Sequence, residues 1–225
     1  MILQSIATAV PPNRFTQGEC YSALEASPIF SQLNPRSHAL VKRVLSNETS
    51  GIQARYFAAD SIASIVGRSA QELNEIFELQ APTLAGQALV RALESAGMNA
   101  GELDALFVCT CTGYLCPGVT SHVAEQVGLR SDVFLSDLVG LGCGAAIPTL
   151  RSAAGFLALH PGAKVATVAV EVCSAAFYVS DDPGVLVSLC LFGDGAAAAI
   201  WSDGSNGSNG DAGDAGDAGD AGDAG

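Results

Sequence analysis

The sequence predicts an α/β protein with a mainly parallel sheet, and three observations support this fold class. Short apolar runs typical of buried strands alternate with segments whose apolar residues recur at helical spacing. Hydrophobic residues make up 49% of the 225 residues, which is enough for a sizeable core. From Gly204 onward the chain changes to GSNGSNG and five Asp-Ala-Gly repeats, with no large apolar residue. We therefore predict one folded domain at residues 1–203 and a disordered tail at residues 204–225.

The N-terminal part of the chain predicts one strand followed by helices. Residues 2–10 alternate in polarity and end at a proline pair, which indicates a strand running into a loop. Residues 17–25 and 35–45 have the pattern of short helices. Helical apolar spacing recurs over residues 69–79 and 82–96, where Pro82 suits a first helical turn and Gly97 a helix end.

The second part of the chain alternates between the two element types. The predicted strands cover residues 104–110, 133–138, 163–172 and 196–201, and the predicted helices cover residues 121–127 and 145–159. Because strands that alternate with helices usually pair in parallel, this part should supply most of the sheet.

A glycine-rich turn joins the strand at 133–138 to the helix at 145–159, and Cys143 lies in it. Gly140, Gly142 and Gly144 lack a Cβ atom and so permit a sharp turn and a close backbone approach to a ligand. Unpaired N–H groups at a helix start favour an anion, so a thiol there can have a pKa lowered to ~3.5–7.5. The placement indicates a nucleophile, although a cysteine among small residues is also a common core residue.

The same glycines partly match a dinucleotide-binding fingerprint. That motif requires an acidic residue about twenty positions further on, and residues 146–170 contain none. The dinucleotide interpretation is therefore disfavoured.

The helix after Cys143 is apolar on nearly every side. Thr149, Arg151 and Ser152 are its only polar side chains. A helix of this composition is typically buried, yet one α/β layer covers only one side of it. We therefore expect a missing half or a partner chain to cover the other side.

Composition narrows the classes of partner and compartment. The formal net charge is −13 with only 10 Lys and Arg, which disfavours nucleic-acid binding. No apolar run reaches the ~20 residues that span a bilayer, and the N-terminus does not resemble a signal peptide. Seven cysteines without a secretory signal predict reduced thiols in a cytoplasmic protein. Among these, Cys109, Cys111 and Cys190 are expected to fill the core.

Four motifs occur in an informative order along the chain. They are CTCTGYLCPG at 109–118, GLGCGAAIPTLR at 140–151, AVEVCSAAF at 169–177 and LFGDGAAAAI at 191–200. Together they resemble the N-terminal half of type III polyketide synthases, the chalcone and stilbene synthase family of the thiolase-like superfamily. The resemblance extends over about residues 2–203. It implies a thiolase-like fold in which the helix after Cys143 is the buried nucleophile helix.

The resemblance assigns roles in catalysis and in the substrate cavity. Cys143 matches the family's cysteine that takes an acyl group from a coenzyme A thioester. Phe192 matches a gatekeeper between the coenzyme A tunnel and the cavity, although a core aromatic is the alternative from the sequence alone. Thr110, Cys111 and Thr112 match a polar pocket wall.

Further positions carry implied roles in substrate binding. Cys116 matches a residue that crosses a dimer interface into the partner's cavity, and Cys173 matches a small pocket-lining residue. Arg55, Lys42 and Arg43 lie near the family's basic residues for the coenzyme A phosphates. Isolated basic residues are also commonly solvated surface, and that alternative stays open.

The chain departs from the family pattern in one respect that matters for activity. The family's site also needs a His and an Asn from a C-terminal half, and neither His38, His122 nor His160 lies in a matching motif. Each such donor is worth ~10²–10³ in rate. We expect the full-length protein to be a homodimer that condenses acyl-CoA with malonyl-CoA, without a metal or redox cofactor. This chain alone should at most acylate slowly at Cys143.

Two other interpretations stay open at this point. The segment TSGIQARYF and the GDGA motif also suggest an initiating ketoacyl-acyl-carrier-protein synthase. A non-catalytic remnant, or one half that pairs with a separately encoded second half, is the interpretation from a different class.

Overall fold

In a computed structural model that describes residues 1–47 and 50–204, seven strands and six helices form the chain. The strands are β1 (Ile2–Ala9), β2 (Asn13–Thr16), β3 (Ala54–Phe57), β4 (Ala105–Thr110), β5 (Phe134–Val139), β6 (Lys164–Glu171) and β7 (Gly195–Ser202). The helices are α1 (Gln17–Glu25), α2 (Pro35–Leu45), α3 (Ala70–Ser95), α4 (Val119–Val127), α5 (Ala146–Leu159) and α6 (Pro183–Leu191). None of the helices in these two ranges is long and apolar enough to cross a membrane. The predicted tail lies outside the described residues, apart from Gly204.

The main sheet has five strands in the order β1-β7-β6-β4-β5. β4 pairs in parallel with both β5 and β6, whereas β7 is antiparallel to its neighbours β6 and β1. Four strands therefore run in one direction, which confirms the predicted α/β class. The carboxyl ends of β4, β5 and β6 consequently meet at one edge of the sheet.

Successive residues of β4 show how the two faces of the sheet are covered. Leu106 and Val108 belong to a core that contains the buried residues of α3 and α4. Ala105 and Phe107 belong to a smaller core that contains Ala153 of α5. Because side chains alternate along a strand, α3 and α4 cover one face and α5 covers part of the other.

α3 is a single helix, which corrects the prediction of two helices separated before Pro82. It begins at a capping box, in which Ser69 accepts from the N–H of Glu72 and Glu72 accepts from the N–H of Ser69. Pro82 lies inside the helix and is buried. An interior proline costs ~3 kcal/mol, but burial of side chains such as Leu84 and Leu89 stabilises by ~1.5–3 kcal/mol each and keeps the helix continuous.

α5 is buried along one side only. Thr149, Ala153 and Leu157 are its buried residues, whereas Ile147 is 57% exposed. Next to this helix, an apolar groove of about 300 Å³ runs over β1, β6 and β7. Its lining includes Ile6, Leu150 and Trp201. We call the exposed side of α5 together with this groove the open face.

The sequence prediction missed three elements, β2, β3 and α6. β2 and β3 form a separate antiparallel pair, and α6 joins α1 and α2 in a second core. The sequence of α6 is a short apolar run, and periodicity alone cannot assign such a run to a helix or a strand. Its start signals are nevertheless present, because Asp182 caps the N–H groups of Gly184 and Val185 and Pro183 follows it.

Candidate active site

The candidate site lies where β4, β5 and β6 end together. Thr110 pairs with Val139 at the end of β4 and β5, and Glu171 is the last residue of β6. The segments that follow these strands carry Cys111, Cys143 and Cys173. Ligand sites of α/β proteins commonly lie at this edge of the sheet.

Cys143 lies in the tight turn at Gly142–Ala145, directly before α5. Gly140 and Gly142 have φ angles of 75° and 62°, which side-chain-bearing residues rarely adopt. Cys143 is exposed, and no side chain caps the start of α5. The predicted position of Cys143 is thus confirmed, and its role as the nucleophile stays a prediction.

Glu171 organises the site, and the sequence analysis did not identify it. Its carboxylate accepts hydrogen bonds from the Cys111 N–H at 3.0 and 3.1 Å and from the Thr112 hydroxyl at 2.8 Å. The Cys111 thiol donates to it at 3.2 Å, and the Thr110 hydroxyl at 3.3 Å. A single acidic residue at the end of an otherwise apolar predicted strand was the available signal.

The three thiols at this edge influence one another, and Glu171 influences Cys111 and Cys173. Desolvation, the hydrogen bond to Glu171 and the charge of Glu171 raise the pKa of Cys111 to about 12, and Cys143 contributes further. Desolvation, Asp194 and Glu171 raise the pKa of Cys173 to about 12, with further contributions from Cys111 and Cys143. Cys111 and Cys173 are therefore held as neutral thiols at physiological pH.

The remaining cysteines divide between core and surface. Cys109 and Cys190 are buried, as predicted for core-filling residues. Cys111 is exposed, so the prediction that it fills the core is wrong. The hydrogen bonds to Glu171 hold it at the carboxyl edge of the sheet instead. Cys116 is exposed in the loop between β4 and α4, and its predicted contact with a partner subunit stays a prediction.

The buried carboxylate of Asp194 binds the segment after β6, next to Cys173. This carboxylate accepts from the N–H and hydroxyl of Ser174 at 2.8 and 2.6 Å and from the N–H of Ala58 at 2.8 Å. Burial raises the pKa of Asp194. Phe192 is 45% exposed, so it is not the core aromatic of the alternative interpretation. A gatekeeper role stays a prediction.

Arg55 is not placed to bind a phosphate, which corrects the prediction. Its side chain is 5% exposed and donates to the Gln17 side chain and to the carbonyl oxygens of Leu189 and Phe192. The guanidinium also lies 5.0 Å from the centre of the Phe57 ring. Arg55 therefore joins α1, β3 and α6 from inside. Lys42 and Arg43 are exposed near the end of α2.

The three histidines lie in three different helical regions, and His160 is far from the Cys143 turn. His38 lies in α2 and packs against Phe30, and His122 belongs to α4. His160 follows the last residue of α5, and 14 residues of helix at ~1.5 Å rise separate it from the Cys143 turn by about 20 Å. Among the described residues, none of the three histidines has a hydrogen bond to Cys143.

The chain matches a known family model over most of its length. The model, described as FAE1/type III polyketide synthase-like protein, matches residues 11–211. The 3,5-dihydroxyphenylacetyl-CoA synthase of Amycolatopsis balhimycina is 29% identical over 86% of this chain and 50% of its own. The 1,3,6,8-tetrahydroxynaphthalene synthase of Streptomyces griseus is 28% identical over 72% of this chain and 43% of its own. The chain thus spans about half the length of the curated relatives it matches.

Solved structures of similar proteins agree with this match. PKS-I from the brown alga Ectocarpus siliculosus has a TM-score of 0.78 at 25% identity and is covered over 55% of its chain. The C-terminal type III polyketide synthase domain of Steely1 from Dictyostelium has a TM-score of 0.77 at 29% identity and is also covered over 55%. Each alignment includes 88% of this chain.

Proposed function

The chain belongs to the FAE1/type III polyketide synthase-like family, and on this premise we propose that it is the nucleophile-bearing half of an acyl-condensing enzyme. The observation that carries the proposal is the position of Cys143. Its thiol is exposed at the carboxyl edge of the parallel strands, directly before the uncapped start of α5.

The first step proposed is acyl transfer from coenzyme A to Cys143. The thiolate sulfur attacks the carbonyl carbon of an acyl-CoA thioester, a new C–S bond forms, and the bond to the coenzyme A sulfur breaks. Coenzyme A leaves as a thiolate and takes up a proton. Catalytic cysteines commonly lie at helix N-termini, and Cys143 lies directly before the start of α5. Coenzyme A enters only as part of the substrate.

The second step proposed belongs to the full-length protein. Malonyl-CoA loses CO2, the resulting carbanion attacks the acyl carbonyl carbon on Cys143, a C–C bond forms, and the bond to the Cys143 sulfur breaks and releases its thiolate. The general base and oxyanion donors come from the half of the relatives' length outside this sequence. The same half covers the open face, because Ile147 and its apolar neighbours need a partner layer. A homodimer, with the exposed Cys116 at its interface, completes the proposed assembly.

The remaining site residues receive supporting roles in this proposal. Thr110, Thr112 and Cys173 line the cavity beside Cys143, and Phe192 separates the cavity from the coenzyme A entrance. Exposed Lys42 and Arg43 supply positive charge for the coenzyme A phosphates. Arg55 has no such role, because its guanidinium is bound inside the protein.

Intact-mass spectrometry after incubation with an acyl-CoA tests the loading step. We expect one slowly formed acyl adduct, lost in Cys143→Ala and retained in Cys116→Ala, which removes another exposed thiol of this chain. An adduct that survives Cys143→Ala would remove Cys143 from the proposal.

An initiating ketoacyl synthase is the second candidate, supported by the TSGIQARYF segment and the GDGA motif. The family match and the relatives named above favour the polyketide synthase. A full-length homologue distinguishes them: a polyketide synthase uses free malonyl-CoA, whereas the second candidate requires malonyl groups carried on acyl-carrier protein.

A further inference from the structure

Three thiols converge at one edge of the sheet, so the site must distinguish one nucleophile from two neighbours. Solvent access distinguishes Cys173 from Cys143, because Cys173 is only 8% exposed. Solvent access does not distinguish Cys111 from Cys143, because both residues are exposed. Desolvation of the Cys111 sulfur contributes to the difference from Cys143, and the hydrogen-bond partner of Cys111 adds to it.

The partner that distinguishes them is the carboxylate of Glu171. The Cys111 thiol donates a hydrogen bond to Glu171 Oε1 at 3.2 Å, and the Cys111 N–H binds both carboxylate oxygens. We propose that Glu171 is a positioning residue that selects Cys143 as the nucleophile by holding the Cys111 proton in a thiol-to-carboxylate hydrogen bond. The inference rests on the proposed function only in naming Cys143 as the acylated residue.

The geometry makes a Cys111 thiolate unfavourable. Its sulfur would lie about a hydrogen-bond length from a carboxylate, and like charges at this distance oppose ionisation. The carboxylate itself is stabilised in its charged form by the Thr112 hydroxyl at 2.8 Å and by the Cys111 N–H. The titratable groups that face Cys111 are Glu171 on β6 and Cys143 in the turn before α5, together with Cys173 after β6. None of these groups supplies a positive charge.

The raised pKa of Cys111 agrees with this geometry. Cys173 faces Asp194 in addition to Glu171, so its thiol has two carboxylates against ionisation. Glu171 thus acts on both competing sulfurs, and directly through a hydrogen bond on Cys111.

Site-resolved alkylation of the purified chain tests the proposal. The iodoacetamide carbon accepts a thiolate sulfur and releases iodide, so the rate at each cysteine follows its thiolate fraction. Tandem mass spectrometry across pH 6–10 then gives a rate profile for Cys143, Cys111 and Cys116. We expect Cys111 to react far more slowly at pH 8 than Cys116, which is also exposed, and its profile to rise only at the alkaline end.

Replacing Glu171 with glutamine removes the charge and keeps a hydrogen-bonding side chain of similar shape. We expect Glu171→Gln to increase the Cys111 alkylation rate at pH 8 by at least about tenfold, because each unit of pKa changes the thiolate fraction tenfold. The matched control is Thr112→Val, which removes the 2.8 Å hydrogen bond to Glu171 and keeps the charge. It should leave the pH midpoint of Cys111 unchanged.

The following results would overturn the proposal. An unchanged Cys111 midpoint in a folded Glu171→Gln protein would exclude Glu171, and an equal shift in Thr112→Val would assign the effect to loop position. If Glu171→Gln does not fold, the unsubstituted chain still decides, since a Cys111 profile equal to that of Cys116 contradicts selection. Failure of acyl-CoA to load Cys143 would instead count against the proposed function and leave these profiles unaffected.

Discussion

Helices α3 and α5 pack against opposite faces of the same sheet, but they differ in how many of their residues are buried and in how their starts are capped. α3 has ten buried residues among 26 and starts at a capping box, whereas α5 has three among 14 and starts without a side-chain cap. Ile147 of α5 is 57% exposed. The comparison indicates that α3 contributes more to the stability of this chain than α5 does, and it supports the proposed ligand site and covering layer at α5.

The largest expected effect comes from truncating one buried side chain of α3. Leu89 is 0% exposed, so Leu89→Ala should lower the free energy of unfolding by ~2–5 kcal/mol, through lost transfer energy and a cavity. Ile147→Ala in α5 should change it by no more than ~0.5 kcal/mol, as for other surface positions. Urea denaturation followed by far-UV circular dichroism measures both. Equal losses would contradict the comparison.

A smaller effect is expected at the start of α3. Ser69→Ala removes the hydroxyl that accepts from the Glu72 N–H and should cost ~1 kcal/mol of stability at pH 7. The pH dependence has a definite sign. The side-chain and backbone hydrogen bonds to Ser69 lower the pKa of Glu72 in the folded state, so their contribution is present above the unfolded carboxyl pKa of ~4.3 and is lost as pH falls through the folded value.

Urea denaturation of Ser69→Ala and the unsubstituted protein between pH 3 and pH 7 checks this sign. The difference in unfolding free energy should narrow on acidification. A difference that widens toward acid pH would contradict the assigned role of the Ser69–Glu72 pair. α5 offers no matching position, since no side chain caps its start.

The smallest expected effect concerns solvent at the open face rather than stability. Ile147→Ser removes an apolar side chain from that face and should reduce binding of the dye anilinonaphthalene sulfonate, while changing stability by no more than ~0.5 kcal/mol. Val90→Ser is the matched control, because Val90 is 39% exposed on α3 and lies outside the open face. Dye fluorescence that falls equally in both variants would argue that the open face is ordinary surface.

Local patterns in the sequence were sufficient where one segment determines its own structure. The helices at 17–25 and 35–45 were predicted with the bounds that the structure gives them. The strand–turn–helix around Cys143 followed from its glycines, since the left-handed backbone at Gly140 and Gly142 is a local requirement. Pro82 was misinterpreted because packing of α3, which the sequence does not display, outweighs the local penalty.

Long-range contacts account for what the sequence analysis missed in the site. Glu171 acquires its role from Cys111, which lies 60 positions earlier in the chain. Arg55 becomes an internal anchor through a carbonyl oxygen 134 positions away. Neither partner can be identified from neighbouring residues, so Glu171 was overlooked and Arg55 was assigned to phosphate binding.

The pairing of β1 with β7 has a consequence for synthesis on the ribosome. Ile2 pairs with Ser202 and Ala9 with Ala196. Strand β1 can therefore pair with β7 only after almost the whole described chain has been synthesised. Until then both edges of β1 are unpaired, and an unpaired edge is a template for pairing with another chain. Pairings of such sequence separation also slow folding. Nascent chains stalled before β7 should therefore depend on chaperones more than the finished protein does.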